Sequence, residues 1–133
     1  MILIAGHYCH DVPIAPDGSE TRTLGGSASY GSAILDAFGE PYEVAAKVGA
    51  DFLYSAQVSK QPRVVSGRTT SFVDDYRGGE RIERVDAVCE ELTELPPGPF
   101  KVGLAFGVAG EVALPVLARM RKLCGLVLAD ATI

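Results

Sequence analysis

Apolar and polar positions along this chain follow two periods in turn, and the switches between them mark its elements. Ile2 to Ala5 is a continuous apolar run closed by Gly6, which predicts a strand buried on both faces. The next stretch, GHYCHDVPI, turns polar, and ETRTLGG predicts a second extended piece ending in paired glycines. In SASYGSAILDAFG the period changes. Gly31, Ile34, Leu35 and Phe38 recur at helical spacing, predicting a helix with that face inward, Ser27 as its N-cap and Gly39 as its stop. YEVAAKVG reads as a strand and ADFLYS as a short helical turn.

The middle of the chain, RVVSG, TTSFVDDY and RIERVDAV, is extended with polar residues on both faces. Its last two pieces meet across Arg77-Gly78-Gly79-Glu80, which predicts a hairpin that protrudes from the core. After the turn-like LTELPPGP comes a buried strand, FKVGLAF. A helix beginning near Ala113 then carries Ala113, Val116, Leu117, Met120, Leu123 and Cys124 on one stripe, with Pro115 in its first turn and Gly125 as its stop. LVLAD predicts a final buried strand. Strand and helix alternate at both ends, so the expected class is α/β with a mostly parallel sheet and a small β element inserted in the middle.

Composition narrows the partners. The 133 residues are 47% hydrophobic and 22% charged, suiting one domain with a real core. A net charge of −5 with no basic stripe argues against a nucleic-acid partner. Three cysteines, Cys9, Cys89 and Cys124, are odd in number and lack CxxC spacing, which suits reduced thiols in a cytoplasmic protein. The longest apolar stretch, residues 102–118, is interrupted by Glu111 and Pro115, so no membrane segment is expected.

Candidate chemistry begins with His7, Cys9, His10 and Asp11. An extended strand would place His7, Cys9 and Asp11 on one face as three metal ligands, but no further ligands stand at paired spacing, and strand-end polar residues account for them better. Cys9 reads as a buried small hydrophobe in preference to a nucleophile. Asp74 and Asp75 face opposite ways on a strand and read as a solvated face beside Arg77 and Arg81. Asp51 reads as a helix N-cap, and Glu111 as complementing the dipole of the helix after it. GLAFGVAG lacks the G-x-G-x-x-G spacing of a dinucleotide fingerprint, although Asp130 lies at a suggestive distance beyond it.

The Gly-Gly turn into a helix, LGGSASYG, lets a ligand approach backbone closely and turns free helix N–H groups toward it. With HYCHDVPI, TLGGSASY, KVGADF, FGVAGE and a polar β-lid opening at TTSF, the chain resembles the PfkB family of ribokinase-like carbohydrate kinases, and within it the plant myo-inositol kinase type. The resemblance runs along essentially the whole chain in the same order. It implies phosphoryl transfer from ATP, with Mg2+, to a hydroxyl of a sugar or cyclic polyol.

By that resemblance, Asp11 at the end of the first strand accepts substrate hydroxyls, Gly25 and Gly26 let the substrate ring lie against backbone, and Ser27, Tyr30 and Thr70 complete the substrate site. Residues 62–88 correspond to the β-lid, through which a homodimer forms in the family, and residues 1–133 to the N-terminal, substrate-side portion of the kinase domain. Tyr30 stands where many members carry Asn, which favours a ring polyol over ribose. The family's Gly-Ala-Gly-Asp motif, source of the catalytic base, is absent, as is the ATP-binding half. The expectation is therefore a substrate-binding half that does not catalyse alone. Two alternatives stand beside it: a non-catalytic binding or dimerisation module, and a dinucleotide-binding α/β domain.

Overall fold

A computed structural model describes residues 1–130. Four strands form a wholly parallel sheet in the order β10–β9–β1–β4: β1 Ile2–Ala5, β4 Tyr42–Ala45, β9 Phe100–Ala105 and β10 Cys124–Ala129. Helix α1, Ser27–Phe38, covers one face and α2, Leu114–Leu123, the other. Alternation along β1 divides the core accordingly. Leu3 and Ala5 join Val116 and Met120 beneath α2, whereas Ile4 joins Ala28, Tyr8 and Tyr42 beneath α1. Full burial of Leu3 and Ile4 stabilises by about 2 kcal/mol each.

A second sheet of four strands has the order β3–β2–β7–β8, from β2 Cys9–Ile14, β3 Thr23–Gly25, β7 Ser71–Asp75 and β8 Ile82–Ala87. The expected hairpin is its β7–β8 pair, and β2 joins it in parallel to β7. Two short strands, β5 Lys47–Gly49 and β6 Arg63–Val65, pair by themselves.

Several local expectations are corrected. Asp11 does not end the first strand; it lies inside β2, because the chain leaves β1 at Gly6 and starts afresh in the other sheet. YEVAAKVG divides at Ala46 between two sheets. No helix follows Asp51; its carboxylate accepts the N–H and hydroxyl of Thr69 at 2.8 and 2.7 Å.

The inward face of α1 is Ala28, Ser29 and Ser32 with Leu35 packed partly buried beside them as expected, while Ile34 and Phe38 are exposed. The helix lies too close to Phe106 for bulk on that side: a Cβ at Gly31 would come within 2.8 Å of the Phe106 ring. Gly26, not Ser27, occupies the N-cap position, and Gly39 ends the helix in the left-handed conformation as expected. Gly125 belongs to β10, which begins directly after α2 at Cys124. That last strand is an edge, with Leu126 and Leu128 about half exposed, and not the buried strand the apolar run suggested.

Candidate functional site

The strand registers bring three carboxylates to one face of the second sheet. Asp11 stands opposite Phe72, and Asp74 opposite both Pro13 and Glu83, so with side chains alternating, Asp11, Phe72, Asp74 and Glu83 share that face. Val12, Ile14 and Val73 pack on the reverse. The carboxylate face looks into an open cleft of about 400 Å³, lined also by Gly26, Ser27, Tyr30, Gly107 and Val108. This is within the range of small-molecule sites.

One cation, Arg81, stands among the three acids. Arg81 donates to Asp74 at 3.1 Å and also to Glu83. Asp11 is the group left open: among the described residues no donor hydrogen-bonds to it. Burial, then the charges of Asp74 and Glu83, push its pKa above the usual carboxylate value, with Arg81 opposing. Asp75, on the reverse face, is held down to about 2 by Arg77, which grips both its oxygens.

The Gly25-Gly26 turn fits around these groups. Gly26 has φ +92°, a conformation that favours glycine, and a Cβ there would sit 2.7 Å from the His7 carbonyl oxygen. A Cβ on Gly25 would collide with the Asp11 carboxyl group. The first turn of α1 begins at this point with no side-chain cap, so the helix N-terminus opens at the cavity wall.

A buried polar network holds His7, whose carbonyl packs against Gly26. The His7 ring accepts the Lys47 N–H at Nδ1 (3.0 Å) and donates from Nε2 to the Glu90 carbonyl (2.7 Å), so neither nitrogen is open to a ligand. Lys47, itself buried, donates from Nζ to Glu90, the Glu91 carbonyl and Thr93. Cys9 is buried with its thiol pKa raised by that burial, consistent with an inert packing role. Among the described residues no three His, Cys, Asp or Glu side chains converge as a metal site, and no helix is long and apolar enough to cross a membrane.

No protein-family model matches the sequence. An inositol 3-kinase of Zea mays is 38% identical over 151 aligned residues, an alignment covering 97% of this chain and 40% of that protein. A pyrophosphate-dependent kinase in the ribokinase family, solved with a pyrophosphate analog and myo-inositol, superposes with TM-score 0.78 at 21% identity, covering 98% of this chain and 49% of that one. The chain has the ribokinase-like fold. A fructokinase of Xylella fastidiosa with bound ATP has the same fold at TM-score 0.74 and 15% identity, covering 99% of this chain and 48% of its own. The ribokinase-like chain thus spans less than half the length of the inositol 3-kinase it matches.

Of the site residues expected in this ribokinase-like chain, Asp11, Gly26, Ser27 and Tyr30 meet on the cavity wall. Gly25 stands immediately behind, against Asp11. Thr70 does not reach the cavity: it is buried at the base of β7, where its hydroxyl accepts the Cys89 N–H at 2.9 Å. Sequence reasoning missed Phe72, Asp74, Arg81, Glu83, Gly107 and Val108 as lining residues. For Asp74 and Glu83 the signal was the alternation along the hairpin, which needed the β2–β7 register to show where that face points.

Proposed function

We propose that this chain supplies the acceptor-binding part of a kinase that phosphorylates a hydroxyl of a sugar or cyclic polyol, with an inositol-like ring as the best-supported acceptor. The observation that carries the reading is the open Asp11 carboxylate, which faces a cavity walled by a helix N-terminus and the Gly25-Gly26 turn. A carboxylate free of internal donors accepts two neighbouring ring hydroxyls, and missing side chains let the ring lie against backbone. Tyr30 and Phe72 offer apolar surface to the C–H faces of a ring.

Charge selects within this class. Asp11, Asp74 and Glu83 against one Arg81 leave the cavity negative, which favours a neutral polyol and repels one already phosphorylated. The same charge does not fit a nucleotide triphosphate, and no metal-ligating cluster forms among the described residues. ATP with Mg2+, or pyrophosphate as in the structural relative, is therefore left unplaced. Asp11 binds and orients the acceptor here. The sheet formed by β2, β3, β7 and β8 acts as the lid that keeps water from the transfer.

Its outer strand β8 has a free edge and exposes Ile82 and Val85, which supports pairing with a second copy of the chain. Val85→Lys then shifts sedimentation toward the monomer, and an unchanged sedimentation profile contradicts the pairing. The acceptor class is tested by calorimetric titration of the folded chain with myo-inositol, fructose, ribose and an inositol monophosphate. Binding of the neutral ring polyol with rejection of its phosphate is expected. Binding of none, or preference for the phosphate, overturns the reading.

A further inference from the structure

We infer that Glu111 is a positioning residue of the acceptor site, its buried carboxylate tying the 107–109 wall of the cavity to the β1–β2 turn. The inference rests on the proposed acceptor site and adds a residue that never touches the ligand. Glu111 lies three residues before α2 begins and is only 1% exposed, so its carboxylate is not a surface partner for the helix dipole. It turns inward instead. Oε1 accepts the N–H groups of Val108 and Ala109 at 2.8 and 2.9 Å, and Oε2 accepts the N–H of His7 at 3.0 Å.

These partners belong to two different walls. Gly107 and Val108 line the cavity directly. His7 carries the carbonyl against which Gly26 packs so closely that a Cβ would sit 2.7 Å away, and Gly26 lines the same cavity. Glu111 therefore fixes the spacing between the loop after β9 and the Gly25-Gly26 turn, the gap a ring must enter. Leu92 donates its N–H to the Glu111 backbone carbonyl at 3.0 Å, anchoring the residue from behind.

The chemistry requires an acceptor on both oxygens. All three partners are N–H donors, which a carboxylate satisfies and an amide cannot: in Glu111→Gln the new NH2 group faces either His7 or the 108–109 pair, and one wall is released. The shape and volume of the side chain stay the same. The variant thus separates tethering from packing.

The test compares wild type, Glu111→Gln and Val116→Ala, the last a core truncation beneath α2 and away from the cavity. Backbone amide exchange by NMR and calorimetric titration with myo-inositol are measured on each. Glu111→Gln is expected to lose amide protection at His7 or at Val108 and Ala109, and to weaken myo-inositol binding about tenfold or more, as for a lost charge-assisted hydrogen bond. Val116→Ala is expected to lower the melting temperature while leaving affinity within about twofold, because it removes only core contacts.

Wild-type affinity in folded Glu111→Gln overturns the inference, as does an equal loss in Val116→Ala. If Glu111→Gln does not fold, Glu111→Asp keeps the charge with a shorter reach; reduced affinity is expected, and wild-type affinity overturns the inference. Failure of the wild type to bind myo-inositol counts against the functional reading alone. The exchange data then still decide the tether: unchanged protection at positions 7, 108 and 109 overturns it.

Discussion

Gly25 lies diagonally across the β2–β3 pair from Asp11, so close that a Cβ at position 25 would stand 2.6 Å from Asp11 Oδ1 and nearer still to the rest of the carboxyl group. The glycine is there to leave room for the acid. Its φ lies outside the left-handed region, so alanine strains no backbone and acts only by displacing the carboxylate. Gly25→Ala is expected to fold and to lose about tenfold or more in myo-inositol affinity, the scale of a lost hydrogen bond to a charged group. Gly78→Ala, at a position with open space around it, is the control and should bind as wild type. Calorimetry on the two variants checks both.

Asp11 sets activity against stability. Its folded pKa is raised above the unfolded value, so its contribution is complete below about pH 3.8 and is lost as pH rises through the folded value. At neutral pH the ionised carboxylate therefore weakens the fold it serves. Asp11→Asn is expected to raise the urea midpoint at pH 7 and lower polyol affinity together. A fall in both would assign Asp11 a structural role.

The two histidines act in the opposite sense. Burial lowers the pKa of both His7 and His10, so below about pH 6.5 the unfolded chain takes up protons that the folded chain resists. Their contribution to stability is complete above about pH 6.5 and is lost as pH falls through the lowered folded values. For His7 the geometry acts in the same direction as burial: a proton on Nδ1 would face the Lys47 N–H it now accepts. In the Asp11→Asn background, which removes the opposing titration, the urea midpoint should be lower at pH 5 than at pH 7.5. A midpoint independent of pH over that span contradicts this assignment.

The Lys47–Glu90 pair is asymmetric, with Lys47 buried and Glu90 half exposed. Removing the ammonium also strands the Glu91 carbonyl and the Thr93 hydroxyl, so Lys47→Met should cost about 2–3 kcal/mol. Glu90→Gln removes only the solvated partner and should cost less than about 1 kcal/mol. Equal losses in urea denaturation would count against the network described above.

Much of this was legible in the sequence where the signal is local. Apolar runs gave β1 and β9, the glycine at position 39 gave the end of α1, and the Gly-Gly pair placed the β7–β8 hairpin. What the sequence hid depends on pairing between distant segments. Nothing local shows that β2 leaves the sheet of β1 to join β7, yet that register alone puts Asp74 and Glu83 beside Asp11. Helical spacing put Gly31, Ile34, Leu35 and Phe38 on the inward face of α1; Gly31 and Leu35 do face the core, but close approach to the sheet buries the small Ala28, Ser29 and Ser32 and leaves Ile34 and Phe38 exposed. Glu111 looked like a dipole partner because spacing cannot reveal a carboxylate turned inward onto backbone N–H groups. Resemblance alone points Thr70 at the ligand, while its hydroxyl accepts the Cys89 N–H.

The most direct test of the central claim is calorimetric titration of myo-inositol into the folded wild-type chain and into folded Asp11→Asn. Saturable one-to-one binding by the wild type is predicted, weakened about tenfold or more by the substitution because the amide cannot accept from two hydroxyls at once. No binding to the wild type, or equal affinity in the two proteins, would contradict the account.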